Sequence, residues 1–225
     1  MNKTRKTLQQ RISHRLVCLI TILTPLLWGG VGGGLLSACS ESDDEAGEFD
    51  NWQQRNEAYF ATLSDSLRAN PGAWRKLKCY ALDETTEGKT TDYIYVKVVK
   101  QGDGTESPMF TDSVRVSYQG RLIPSVTYPA GFVFDGTVYG NYDDRTNATT
   151  RQKLSAMIDG YATALLHMHR GDHWRVYIPA DLAYGKAGSG TTIPGYSVVI
   201  FDLTLIDFSS AGQTMPVWSA RRHNL

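Results

Sequence analysis

The sequence predicts an α+β domain: an antiparallel β-sheet wrapped around a short helix, preceded by an N-terminal helix. Three observations lead there. Several segments between residues 93 and 206 are rich in β-branched and aromatic residues, and two of them alternate apolar with polar side chains as half-buried strands do. One stretch among them, Met157 to Met168, switches to helical spacing. No fixed-period repeat is visible, so the strands belong to one domain rather than to a solenoid.

Taken in order, residues 51–69 form the first helix. Trp52, Tyr59, Phe60, Leu63 and Leu67 recur at three-to-four spacing among Gln53, Arg55, Glu57 and Asp65, and Asn70-Pro71-Gly72 stops the pattern. Such a helix packs on the following domain or on a second copy of the chain, which would make 51–69 a homodimer contact. Tyr93 to Lys100 is a strand, closed by the turn residues Gln101-Gly102-Asp103-Gly104. Asp112 to Gly120 and Trp174 to Pro179 alternate, and Val198 to Ile206 is a longer, mostly apolar strand. In the helix between them Met157, Ile158, Tyr161, Ala164, Leu165 and Met168 share a face, and Gly171 is placed to end it.

The 225 residues are 41% hydrophobic and 20% charged, enough for one globular domain with accessory segments. Formal net charge is zero, but its distribution is uneven. Residues 1–38 carry Lys3, Arg5, Lys6, Arg11 and Arg15 and no acid, whereas residues 41–50 hold Glu41, Asp43, Asp44, Glu45, Glu48 and Asp50. The rest is close to neutral, with no basic patch for nucleic acid. Three cysteines, Cys18, Cys39 and Cys79, exclude a disulfide-rich scaffold. Cys79 reads as a packed small hydrophobe.

The basic start, the apolar stretch Leu16 to Leu27 and the glycine-rich connector read as a secretory signal, too short to span a bilayer comfortably. Leu36-Ser37-Ala38-Cys39 resembles the bacterial lipobox. The resemblance implies cleavage before Cys39 and acylation of its sulfur. Several acyl chains, at about 0.8 kcal/mol per buried CH2, hold a domain durably on a membrane. The acidic run after Cys39 then acts as a solvated, self-repelling tether, and it resembles the acidic export tags of Bacteroidetes surface lipoproteins. The expected location is extracytoplasmic, at a bacterial outer membrane, on its periplasmic or surface face.

One ordered series of motifs names a family. Val114-Arg115-Val116-Ser117-Tyr118-Gln119-Gly120 is followed by Phe134-Asp135-Gly136, Ile158-Asp159-Gly160-Tyr161, Met168-His169-Arg170-Gly171-Asp172, Ile178 to Gly185, Ile193-Pro194 and Val199 to Leu203. This series resembles the FKBP-type peptidyl-prolyl cis–trans isomerases across residues 93–208. The chain then divides into a lipoprotein signal peptide at 1–38, an acidic tether at 39–50, a helical extension at 51–92, the FKBP-type domain at 93–208 and a C-terminal tail at 209–225. By resemblance the catalytic set is Tyr118, Phe134, Asp135, Tyr184 and Phe201, with Met157, Ile158, Tyr161 and Ile193 binding substrate. The resemblance implies no cofactor and no metal; its partners are proline-containing unfolded or exported polypeptides.

Such a set suits the chemistry. Amide resonance sets a rotation barrier of ~18–20 kcal/mol, and X–Pro bonds exchange over tens to hundreds of seconds. No nucleophile is needed, only a cleft that binds the twisted amide better than either planar form. An apolar cleft favours the less polar twisted carbonyl. Lowering the barrier by ~4 kcal/mol accelerates exchange about a thousandfold. The Tyr184 hydroxyl and the Ile193 N–H are the expected donors to substrate carbonyls, and Asp135 orients neighbouring polar groups.

The sequence also departs from the family. Tyr161 stands where many members carry tryptophan. Thr149 to Lys153 offers no ring where an aromatic usually precedes the helix, leaving Tyr139 and Tyr142 as substitutes. The enlarged segments 124–133 and 139–150 are placed to set specificity or act as lids. These departures motivate an alternative, a non-catalytic polypeptide- or partner-binding module that keeps the fold. His167, Met168, His169 and His173 do not make a metal site, because residues 167 and 169 point about 200° apart on a helix.

Overall fold

The computed structural model describes residues 47–143 and 146–215. The signal peptide, Cys39 with most of the tether, and most of the C-terminal tail lie outside the described residues.

Helix α1 (Trp52–Ala69) opens the described fold, followed by strands β1 (Trp74–Lys78), β2 (Tyr93–Lys100), β3 (Ser113–Leu122), β4 (Val133–Gly136) and β5 (Thr150–Lys153). Helix α2 (Asp159–His167) and strands β6 (His173–Ile178) and β7 (Val199–Ser209) complete it. The strands form one sheet in the order β1-β2-β6-β7-β3-β4, with β5 beside β3, and every pairing is antiparallel. This is the antiparallel sheet and helix that the sequence pattern predicts.

Period-two alternation decides what each face does. Val96, Val176, Phe201 and Gly120 lie in register across four strands, and Trp174, Leu203 and Tyr118 across three. With Val114, Val116, Ile178, Val199 and Leu205 they form the inner face, on which α2 lays Tyr161, Ala162 and Leu165. Burying a large apolar side chain here contributes about 1.5–3 kcal/mol. The opposite parity makes an outer face, where Tyr95, Tyr177, Ile200 and Arg121 line up, and beside them Lys97, Arg175, Asp202 and Gln119.

Helix α1 covers part of that outer face, so of the two expected uses of its apolar stripe, packing on the chain's own sheet is the one seen. Phe60 meets Tyr95 edge-on at 5.3 Å, and Tyr59 approaches Tyr177 at 6.4 Å. Buried Asn56 accepts from the Val198 N–H (2.8 Å) and donates to the Trp52 carbonyl (2.7 Å). The Trp52 indole N–H donates to Ser197 Oγ (2.9 Å), and Ser197 in turn donates to the Pro194 carbonyl (2.6 Å).

Four features differ from the sequence reading. The extension 51–92 is not all helical, because Trp74-Arg75-Lys76-Leu77-Lys78 pairs with β2. Its three cations hide the alternation, yet Trp74 stacks on Tyr177 at 5.4 Å and Arg75 lies over the Trp174 ring at 5.2 Å. Helix α2 begins at Asp159 rather than Met157, since Ile158 is extended (φ −61°, ψ 148°). It ends at His167, and Gly171 (φ 86°) serves the turn into β6 instead of capping the helix. Residues 47–50 fold back as a turn, with Asp50 accepting from the Gly47 N–H, and Phe49 rests edge-on against Trp52 at 5.1 Å. Hydrogen bonds from Ser125 and Thr127 hold the Glu48 carboxyl below its ordinary range.

Candidate active site

The cleft is built where β3, β4, β7 and the start of α2 meet. Phe201 of β7 sits at its centre. The Tyr161 ring lies 5.0 Å away, Phe134 5.7 Å and Tyr118 6.2 Å, mostly at steep interplanar angles. Aromatic edges therefore meet faces, the arrangement that their quadrupoles favour. Gly120 makes this packing feasible: a Cβ there would lie 2.7 Å from both the Phe134 and the Phe201 rings. Met157 and Ile158 join the margin of the same core, as do Tyr118, Phe134 and Tyr184, while Phe201, Tyr161 and Ile193 are buried.

Polar groups cluster at one end of the cleft. The Tyr118 hydroxyl donates to Asp135 Oδ2 at 2.6 Å, and Asp135 Oδ1 accepts from the Gly136 N–H at 2.8 Å. The Thr137 and Val138 N–H groups both donate to the Tyr118 carbonyl, which fixes β4 against β3. Burial raises the Tyr118 phenol above its usual range, and its bond to Asp135 adds to the shift. Burial also raises Tyr184, with the Asp135 charge as a second cause. Both hydroxyls consequently stay protonated, able to donate, at neutral pH.

The structure brings together the sequence-predicted residues, with two corrections in their surroundings. The Ile193 N–H is not a substrate donor, because it donates to the Ser189 carbonyl (3.1 Å) while the Ser189 N–H donates back to Ile193 (2.8 Å). Among the described residues the Ile158 N–H has no acceptor, and it stands at the start of α2 beside the cleft. Tyr142 does not replace the missing aromatic either. It stacks on His173 at 4.2 Å, across the sheet from the cleft, while Tyr139 is exposed and lies close enough to Tyr118 to affect its ionisation.

Gln152 of β5 is the residue that sequence reasoning missed. It faces the fully buried Tyr161 hydroxyl, and neither Tyr161 Oη nor Gln152 Oε1 completes a hydrogen bond of normal geometry among the described residues. The signal was present only as an absence of rings at 149–153. Burial holds the Tyr161 phenol well above its ordinary range. His167 Nδ1 contacts the Thr163 carbonyl at 2.8 Å, and the buried Asp172 carboxylate accepts from the Gly102 and His169 N–H groups. These side chains serve the helix end and the turn into β6.

An antiparallel sheet wrapped on one helix, with an aromatic cleft closed by a Tyr–Asp pair at one end, defines the FKBP class of domain. Residues 104–206 match the family model described as FKBP-type peptidyl-prolyl cis–trans isomerase, and this domain belongs to that family. The chain is 37% identical over 115 residues to a macrophage infectivity potentiator of Trypanosoma cruzi, covering 51% of this chain and 53% of that protein. It is 34% identical over 118 residues to an FKBP-type 22 kDa peptidyl-prolyl cis–trans isomerase of Escherichia coli, covering 52% and 51%. The chain thus spans about half the length of these relatives. Among solved structures, a peptidyl-prolyl cis–trans isomerase from Pseudomonas syringae pv. tomato superimposes with a TM-score of 0.50 at 25% identity, over 70% of this chain and 96% of that one.

Proposed function

We propose that the cleft accelerates cis–trans rotation of X–Pro bonds in polypeptides outside the cytoplasm. The observation that carries this reading is the convergence of Tyr118, Phe134, Tyr161 and Phe201 around one apolar floor, with Asp135 and Tyr184 at its polar end. The proline ring packs among the aromatic faces. The Tyr184 hydroxyl and the Ile158 N–H donate to carbonyls flanking the bond. Asp135 holds the Tyr118 hydroxyl in place and transfers no proton. Desolvation in the cleft disfavours the polar, planar amide more than the twisted one, so binding is strongest at the top of the barrier. No cofactor enters this chemistry.

The test is exchange of a short X–Pro peptide, followed by NMR. The wild-type chain is expected to accelerate exchange, Phe134→Ala to reduce it to near the uncatalysed rate, and Tyr184→Phe to lower it about tenfold, the worth of one hydrogen bond. Because Tyr118 and Tyr184 ionise only above the ordinary value of 10.0, the rate should stay level from neutral pH up to about that point. Uncatalysed exchange in the presence of folded wild-type protein would defeat the proposal.

The lipobox-like sequence supports attachment of the chain by acylated Cys39 to a bacterial membrane. Mass spectrometry of the mature chain should find an N-terminal cysteine carrying diacylglyceryl; an intact residue 1–38 segment would contradict the anchor.

A further inference from the structure

The enlarged segments contribute to the outer face of the sheet as well as bordering the cleft. Pro124 and Ala130 from the first, with Tyr59 of α1, border a groove of about 250 Å³ floored by Tyr177 and Ile200. Asn141 and Tyr142 from the second border an adjoining cavity of about 180 Å³, and both cavities share Arg121 and Arg175. Glu48, bonded by Ser125 and Thr127, fastens the first segment to the chain that leads into α1.

Charge in this groove is unbalanced. Asp202 accepts from Arg175 Nε (2.8 Å) and Nη2 (3.2 Å) and lies 3.3 Å from Arg121 Nη2. Two guanidinium groups thus share one carboxylate, and exposed Lys97 stands next to Arg175 in register. Asp202 takes Nε and Nη2 of Arg175, the same guanidinium also bonds the Tyr177 hydroxyl, and Tyr59 and Tyr177 bring two protonated hydroxyls to this space. Beside these donors the wall is apolar: Ile200, Pro124, Ala130 and the two tyrosine rings. The volume is below the ~300–1,000 Å³ of a pocket for a drug-sized ligand and suits one side chain with its terminal group.

We propose that this groove binds a carboxylate carried beside an apolar side chain, the chemistry of a polypeptide's free C-terminus. Guanidinium presents a planar fork that matches a carboxylate, and phenol hydroxyls add donors. A free phosphate would meet the cations but leave the apolar wall unused. The site lies on the face of the sheet opposite the prolyl cleft and does not depend on isomerase activity.

The test is calorimetric titration of the full chain with an acetylated, proline-free tetrapeptide ending in leucine, as free acid and as C-terminal amide, with inorganic phosphate alongside. The acid should bind, and the amide at least about tenfold more weakly, since a hydrogen bond to a charged group is lost with the charge. Phosphate should bind more weakly than the acid. Arg175→Gln and Tyr59→Phe should each weaken the acid by about threefold to tenfold. Tyr59→Phe removes one oxygen only, so it separates loss of the site from loss of the fold, and it should leave X–Pro exchange unchanged. Absence of binding by the acid, equal binding of acid and amide, phosphate binding as tight as the acid, or indifference to both substitutions would each overturn the proposal.

Discussion

Phe201→Ala is expected to eliminate catalysed exchange and to lower the thermal midpoint by roughly 6–20 °C, because truncating a buried phenylalanine costs about 3–5 kcal/mol and each kcal/mol is worth about 2–4 °C in a chain of this size. The ring is 4% exposed and touches Tyr118, Phe134 and Tyr161, so its loss leaves a cavity that none of the three can fill without abandoning its own packing. Calorimetry and the NMR exchange assay would be run on the same preparation. A variant that keeps wild-type exchange would show that the aromatic floor is not where the amide turns. Phe201→Leu is the companion: it refills much of the volume, so stability should largely return while exchange remains reduced.

The second large effect lies far from the cleft in sequence. Trp52→Ala should cost about 3–5 kcal/mol, again read as a fall in thermal midpoint. The indole fills the space under α1, and its N–H reaches Ser197, which itself holds the Pro194 carbonyl. Pro194 follows Ile193 in the loop that closes the cleft, so the first helix braces that loop from behind. Trp52→Phe keeps most of the bulk and removes the donor. It should retain most of the stability while raising KM for the X–Pro peptide more than it lowers kcat. Unchanged constants would show that α1 has no influence on the cleft, and equal changes in both would show that its influence is not confined to substrate binding.

Much of this fold was legible because β3 and β6 alternate apolar with polar residues in sequence, β7 is a long, mostly apolar run, and helices α1 and α2 keep their apolar spacing. Strand β1 was not, since Arg75, Lys76 and Lys78 mask its alternation and it fell within the expected helical extension 51–92, whereas Trp74 and Leu77 find partners across the sheet. Strands β4 and β5 are four residues each, too short to show a period. In the cleft, side-chain identity carried the site, so Tyr118, Phe134, Asp135, Tyr161, Tyr184 and Phe201 could all be placed by motif. Backbone donors have no such signature. Whether the Ile193 N–H is free depends on the turn that pairs it with Ser189, and only coordinates reveal that. Gln152 was overlooked for a related reason: a lone polar residue in a polar stretch gives no sign that it faces a buried hydroxyl.

The bond between Trp52 and Ser197 spans 145 residues, and that between Asn56 and Val198 spans 142. A chain delivered N-terminus first therefore presents α1 long before its docking surface exists. Phe60 meets its partner Tyr95 once β2 is made, but Trp52 and Asn56 lack their hydrogen-bond partners until residues 197 and 198 arrive. Contacts of such long range also carry the loop-closure entropy that slows folding. The brace that Trp52 and Ser197 give the cleft loop is therefore completed only after residue 197 has been delivered.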